Sequence, residues 1–208
     1  MIHHDRRAQV FAAGLAAVAG YVDALGFIHL GGFFVSFMSG NSTRAGVGLA
    51  DAGGDAVIAG ALVATFVGGV VIGAVAGRLA KQHRQFAVLS LVAVLLALGA
   101  LAQSIGLGML AIAAMALAMG AENTVFERNG EVSIGVTYMT GTLVKAGQRI
   151  AAALAGEDRW GWLPYLLLWA SLVTGATLGA VSYPLIGLGG LWIAAGAVAL
   201  LAWVARRS

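Results

Sequence analysis

Apolar positions in this chain fall in long unbroken blocks, without the alternation of a half-buried strand or the one-sided stripe of a surface helix. The longest stretches free of Asp, Glu, Lys and Arg are 56–77, 85–121 and 160–205. A helix needs about 20 apolar residues to cross hydrocarbon, so each block holds one crossing or two. Turn signals divide them: Gly53-Gly54, the basic run RLAKQHR at 78–84, QSIG at 103–106, and Pro184 with Gly187, Gly189 and Gly190. The pattern predicts an all-α polytopic membrane protein with six crossings, at 9–30, 56–77, 85–103, 107–121, 162–183 and 188–205. The first block follows Arg6-Arg7 and has the outline of a secretory leader. It is read as a retained helix, because everything downstream is also membrane-embedded.

Composition agrees and narrows the class. Of 208 residues, 60% are hydrophobic and 10% charged, where a soluble domain carries about 25% charged residues. Mean hydropathy is +0.91. There is no cysteine, hence no disulfide framework and no thiol nucleophile. The net charge is +3, and the basic residues flank the apolar blocks, where membrane orientation rather than nucleic acid accounts for them.

Two stretches, 31–50 and 131–154, are apolar but interrupted by small, polar, Gly-containing cores. If both are left out of the count, Arg6, Arg7, Arg78, Lys81, Arg84, Arg128, Lys145, Arg149, Arg159, Arg206 and Arg207 all fall on one side. The positive-inside rule makes that side cytoplasmic. Both termini are then cytoplasmic, and the two stretches dip into the membrane from opposite faces.

The two stretches are also related. MSGNSTRAG (38–46) matches MTGTLVKAG (139–147) at an offset of 101, aligning Gly40 with Gly141 and Arg44 with Lys145. At an offset of 100, Gly20 aligns with Gly120 and Asp23 with Asn123, and later VGGVVIGAV (67–75) matches VTGATLGAV (173–181). A duplication follows, 1–106 and 107–208, each copy having three crossings and one interrupted or re-entrant segment. An odd number of crossings inverts the second copy, the arrangement of many secondary transporters. Rows of small residues, Thr65, Gly69, Gly73 and Gly77, then Ser171, Gly175 and Gly179, read as helix-packing seams.

On the segment GYVDALGFIHLGGFFVSFMSGN (20–41) and the later MTGTLVKAG, the whole chain resembles the YoaK-like family of small bacterial membrane proteins, catalogued as a domain of unknown function. Ser39 stands where the family usually has Thr, and Thr142 replaces the Asn that the first motif would predict. The resemblance implies a multi-pass protein of the bacterial cytoplasmic membrane and brings no substrate with it.

Function is therefore read from polar residues in apolar surroundings. Asp23 lies deep in the first crossing, where an ionisable group is costly and faces a cavity or a partner; it is a coupling or gating carboxylate, or a structural hydrogen-bond acceptor. Arg44 and Lys145 follow the two glycine motifs with Ser39, Ser42, Thr43, Thr140 and Thr142 nearby. A helix start beside a cation suits an anion; equally, the cations snorkel to the interface and the hydroxyls cap helices. Asn41 is a substrate ligand or a backbone satisfier. Glu122 and Asn123 are the counterpart of Asp23 or a helix end near the cytoplasm, and Glu127 and Glu131 read as solvated. His29 ends the first crossing as a titrating group or a polar tip. Phe37 with Phe33 and Phe34 forms a gate or core packing, and Trp160, Trp162 and Trp169 an interfacial belt.

The motif search leaves no enzyme signature, metal cluster or cofactor loop. Ser39 or Ser42 with His29 and Asp23 does not make a triad by nearness alone. The expectation is a small secondary transporter for a small, possibly anionic, solute bound by Asp23, Ser39, Gly40, Asn41, Arg44, Asn123, Thr140, Gly141, Thr142 and Lys145, with Asp23, Glu122 and Phe37 in coupling or gating. The alternatives are a non-transporting scaffold or a passive channel. The expected partners are the lipid bilayer and a small solute or ion, with a homodimer compatible with six crossings.

Overall fold

The computed structural model describes residues 6–128, 131–132 and 135–207. Its helices are α1 (Arg6–His29), α2 (Met38–Ala50), α3 (Asp55–Leu79), α4 (Arg84–Ser104), α5 (Gly108–Glu122), α6 (Met139–Leu154), α7 (Leu163–Ile186) and α8 (Leu191–Arg206). The only strands among the described residues are Glu127–Arg128 and Glu131–Val132, a two-residue antiparallel pair.

Four apolar helical stretches are long enough to cross a membrane: Ala8–His29, Asp55–Leu79, Lys81–Ser104 and Leu163–Arg206. The last is 44 residues and contains both α7 and α8. They part at a 3₁₀ turn, Gly187–Gly190, where Gly187 has φ +53. Of the expected turn residues Pro184, Gly187, Gly189 and Gly190, the glycines make the break and Pro184 does not. It lies in the last turn of α7, where its missing N–H removes one helical bond and the helix still reaches Ile186. α5 has 15 residues, about 22 Å at 1.5 Å per residue, the shortest of the buried helices. The fold is thus all-α and polytopic, as expected.

Both motif stretches are interrupted, but before the motifs rather than within them. The chain is non-helical from 33 to 37 and from 135 to 138, and helices start at Met38 and Met139. Gly40, Asn41, Gly141 and Thr142 therefore sit in first helical turns. In the first of these turns the Phe37 carbonyl accepts the N–H groups of both Gly40 and Asn41, which closes the helix start around the glycine.

α1 packs most extensively on α7, and α3 on α5. Each seam is glycine against backbone. A Cβ at Gly175 would land on the Ala17 carbonyl and one at Gly20 on the Leu172 carbonyl; in the other seam Gly69 meets the Leu117 carbonyl and Gly120 the Phe66 carbonyl. Contact positions advance together, Ala17 with Gly175 and Tyr21 with Gly179, Leu117 with Gly69 and Ala121 with Gly73, so each pair is parallel. α4 runs antiparallel to α5, with Gly99 against Ala111, and to α8, where Phe86 lies by Arg206 and Gly99 by Leu191. α8 is antiparallel to α1, with Gly14 by Leu201 and Leu25 by Gly190. Consequently α1, α4 and α7 point one way and α3, α5 and α8 the other.

The core follows from this. Leu15, Ala16, Ala19, Val22 and Leu25 of α1 and Met115, Ala116, Ala118 and Met119 of α5 are buried, while α3, α7 and α8 turn Val71, Leu178, Leu185 and Leu200 outward, a surface made for lipid. α2 and α6 lie at the periphery, against α3 and α7.

Replacing a seam glycine should open its helix pair. Gly175→Val is expected to lower stability by about 1–3 kcal/mol, the cost of overpacking, whereas Gly196→Val, which meets open space, should melt like wild type. Thermal melts of both variants in one detergent check this.

Candidate functional site

α1 ends in a glycine reversal. Gly31 (φ +65) and Gly32 (φ +109) take left-handed conformations that a side chain would resist, and the Gly32 N–H bonds back to the Phe27 carbonyl at 2.8 Å. Residues 33–37 then run back against α1 without helical hydrogen bonds, although Phe33, Val35 and Ser36 are buried. Buried amide groups need partners, and here side chains supply them. Asp23 Oδ1 accepts the N–H groups of Val35 and Ser36, both at 2.8 Å. The Asn41 carboxamide brackets Phe34, accepting its N–H at 3.0 Å and donating to its carbonyl at 2.6 Å. Asn41 is 0% exposed. It is a backbone satisfier, and its polar atoms are spent on the chain.

The second half uses related residues in a different arrangement. Asn123 donates to the Met119 carbonyl at 3.0 Å and accepts the Thr137 hydroxyl at 3.1 Å. Thr142, buried where Asn41 stands in the first motif, has no carboxamide with which to bracket a peptide unit.

The two non-helical segments meet at one cleft of about 640 Å³ between α1 and α7. Phe34, Ser36 and Phe37 enter from the first segment, Thr137 and Met139 from the second, Asp23 and Phe27 from α1, and Leu172 and Thr177 from α7. Phe27, Phe34 and Phe37 form a continuous aromatic wall, with ring centroids 4.8 and 5.1 Å apart. Apart from the Asp23 carboxylate and the hydroxyls of Ser36, Thr137 and Thr177, the lining is apolar. Among the described residues no three His, Cys, Asp or Glu side chains gather as a metal site.

Of the residues expected to bind solute, Asp23 alone lines this cleft, with Phe37 from the gating set. Gly40 packs beneath the Phe34 and Phe37 rings; Ser39, Thr140, Gly141 and Lys145 are turned outward or half-exposed. Arg44 lies 3.6 Å from Asp55, with its guanidinium 4.5 Å from the Phe33 ring centre. The cations of the two motifs thus do not converge on the cleft, since Arg44 is engaged by α3 and Lys145 is exposed on α6. Asn41, Asn123, Thr142 and Glu122 are buried away from the cleft lining.

Glu127 corrects the sequence reading. Expected at a solvated helix end, it is ion-paired with Arg84, the side chains 10% and 18% exposed, and Arg84 Nε also donates to the Thr124 carbonyl at 3.2 Å. Arg84 was counted only as a topological charge. Its position directly before an apolar run, facing a helix C-terminus that lacks donors, was the available signal. Glu131 lies where side chains are not described. His29 Nδ1 lies 3.0 Å from the Tyr183 hydroxyl at the far end of α1.

A glycine-seamed bundle of oppositely directed apolar helices, with two unwound segments lining a cleft beside the half-buried Asp23 carboxylate, defines a multi-pass membrane protein. The chain belongs to the family described as "Protein of unknown function (DUF1275)", whose model matches residues 11–204, the family also called YoaK-like. It is similar to a UPF0700 transmembrane protein of Rhizobium meliloti (strain 1021), 35% identical over 199 residues, covering 94% of this chain and 86% of that protein. No solved structure matches.

Asn41→Leu keeps the volume and removes both bonds to Phe34. Leaving one buried donor and one acceptor unpaired costs about 1–3 kcal/mol each. The variant should therefore lose stability and show faster amide exchange at 33–37, whereas Ser39→Ala, whose side chain is exposed, should do neither. Hydrogen-exchange mass spectrometry in detergent reads both.

Proposed function

We propose that the protein is a small secondary transporter whose solute binds in the cleft between α1 and α7. The carrying observation is that one cavity draws its lining from the segments before both glycine motifs, at the level of Asp23. Its volume falls in the range of small-molecule sites, about 300–1,000 Å³. Unwound backbone meeting near the middle of a bundle is where secondary transporters place their solute.

The two halves, 1–106 and 107–208, are read as inverted copies. In support, the close approaches repeat in register: Ala17–Gly175 corresponds to Leu117–Gly69, and Gly20–Leu172 to Gly120–Phe66, by shifts of 100 in α1 to α5 and 106 in α3 to α7. The corresponding pairs run in opposite directions, as inversion requires. With α5 and α8 counted as crossings there are six. The basic residues between and beyond them support the reading of both termini as cytoplasmic, in the bacterial cytoplasmic membrane.

The lining selects the solute. Arg44 and Lys145, on which an anion would depend, are elsewhere, and the ionisable group in the cleft is the Asp23 carboxyl. The fitting solute has an apolar body against Phe27, Phe34, Phe37 and Leu172 and a positive or hydrogen-bond-donating group towards Asp23. Asp23 accepts two backbone N–H groups through one oxygen, so it orients segment 33–37 and the solute together.

A thermal-shift panel of small alkyl and aromatic amines against the matching carboxylic acids tests this on the purified protein. Amines should stabilise, by about 2.7 kcal/mol at a concentration 100 times Kd, and Thr177→Phe, which fills the cleft from an exposed α7 position, should abolish the shift. Stabilisation by acids alone, or a shift surviving Thr177→Phe, would remove the cleft as the site. Silence across the panel would favour the scaffold.

A further inference from the structure

Glu122, the last residue of α5, is 0% exposed, and neither carboxylate oxygen has a hydrogen-bond partner. Among the described residues no other carboxyl group is so placed: Asp23 accepts backbone N–H groups and Glu127 is paired with Arg84. Its depth follows from its neighbours. Along α5 and the turn after it, Met115 touches the Gly26 position of α1, and Phe126 packs edge-on against Phe11. Glu122 lies between those levels, beside the middle of α1.

Among the described residues no cation faces it from the helices packed on α5. α3 carries no ionisable residue between Asp55 and Arg78, and α4 none after Arg84. α1 has Tyr21 alone between Arg7 and Asp23, and that hydroxyl is bonded to Ser182. Arg84, which reaches this end of α5, is committed to Glu127 and the Thr124 carbonyl. An ionised carboxylate with neither counter-ion nor hydrogen bond in a water-free interior carries a large desolvation cost, and a neutral acid a far smaller one.

We propose that Glu122 is a proton-binding site of the membrane interior. It carries a proton while the contact between α5 and α1 is closed, as here, and exchanges it with water when that contact opens. That contact is made of apolar side chains, Met115 at the Gly26 position and Phe126 edge-on against Phe11, and Glu122 lies between the two, so separating the helices there admits water to Glu122. On opening, the acid O–H bond breaks, the proton passes to an admitted water molecule and leaves as hydronium, and the electron pair stays on the carboxylate, which further admitted water hydrates. Re-protonation from water precedes closure. Serving as the coupling ion of the proposed transporter rests on that reading; proton binding at Glu122 does not.

Infrared spectroscopy of the full chain in lipid nanodiscs at neutral pH tests proton binding. The wild type should show a protonated-carboxyl stretch that is absent from Glu122→Gln and unchanged in Asp51→Asn, an exposed control, with thermal melts confirming that each is folded. Labelling the wild type with ¹³C-glutamate should downshift the same band, a readout that does not depend on any variant folding. A band insensitive to both the label and Glu122→Gln, or no band, overturns the proposal. In proteoliposomes with a pH-sensitive dye inside, uptake of whichever panel amine binds should move protons in wild type and not in Glu122→Gln. Uptake without proton movement in wild type overturns the coupling role. No uptake, with the glutamate band in place, overturns the transport reading and leaves the proton site standing.

Discussion

Unwound backbone inside a water-free interior must find hydrogen-bond partners within the protein, and the rest of this structure is arranged around that requirement. The segment from 33 to 37 leaves α1 at Gly31-Gly32 and is buried before α2 begins. Its amide groups at Phe34, Val35 and Ser36 are met by side chains alone, from Asp23 and Asn41. Those residues stand on different helices, so satisfying the segment also fixes α2 relative to α1. The cleft exists because this segment is held back from the α1–α7 seam, and the aromatic wall stands where it turns.

The same constraint explains why the glycine seams and the motifs belong to one design. Without a hydrophobic force between helices in lipid, close packing of small residues holds them together. Gly20, Gly69, Gly120 and Gly175 bring backbones into direct contact, and what is left over near the middle of the bundle is space bounded by the two unwound segments. Helix pairs held by packing alone can separate and close again without breaking polar bonds along the seam. The α1–α7 seam adds polar bonds, Tyr21 with Ser182 and His29 with Tyr183, whereas the Arg84–Glu127 pair ties α4 to the segment after α5.

How much of this was legible in the residues varies with the kind of signal. The apolar blocks, the glycine rows and the shared motif at 38–46 and 139–147 are periodic or repeated features, and they led to helices, seams and motif segments that the structure contains. Helix ends were less legible. Pro184 reads as a stop, but in the last turn of a helix it forfeits a single bond, and Gly187 with its positive φ makes the turn. Asp23 stood out because a charge in an apolar run has few explanations. Arg44 and Lys145 were overread, because alignment between two motifs says that positions correspond and not that they face a common space; the neighbours Asp55 and Phe33, which occupy Arg44, come from other parts of the chain. Glu127 was misread for the converse reason. A cluster of charges looks solvated until the partner 43 residues away in sequence is known.

The contrast between the halves bears on mechanism. An exact inverted repeat would have two equivalent clefts, each with a carboxylate and a carboxamide satisfying its unwound segment. Here the first half has Asp23 and Asn41, and the second has Asn123 and Thr142, so the acidic group at the first position is replaced by a neutral one at the second. The second half places its acid one residue earlier, at Glu122, which turns it from the unwound segment into the interior between helices. A carboxylate that accepts backbone N–H groups is stabilised as a charge, whereas one with no partner is stable only without its charge. The two acids therefore differ in what they hold: Asp23 orients segment 33–37 through two N–H groups, and Glu122 holds nothing in the closed structure. A symmetric pair would have given both halves the same set of bonds.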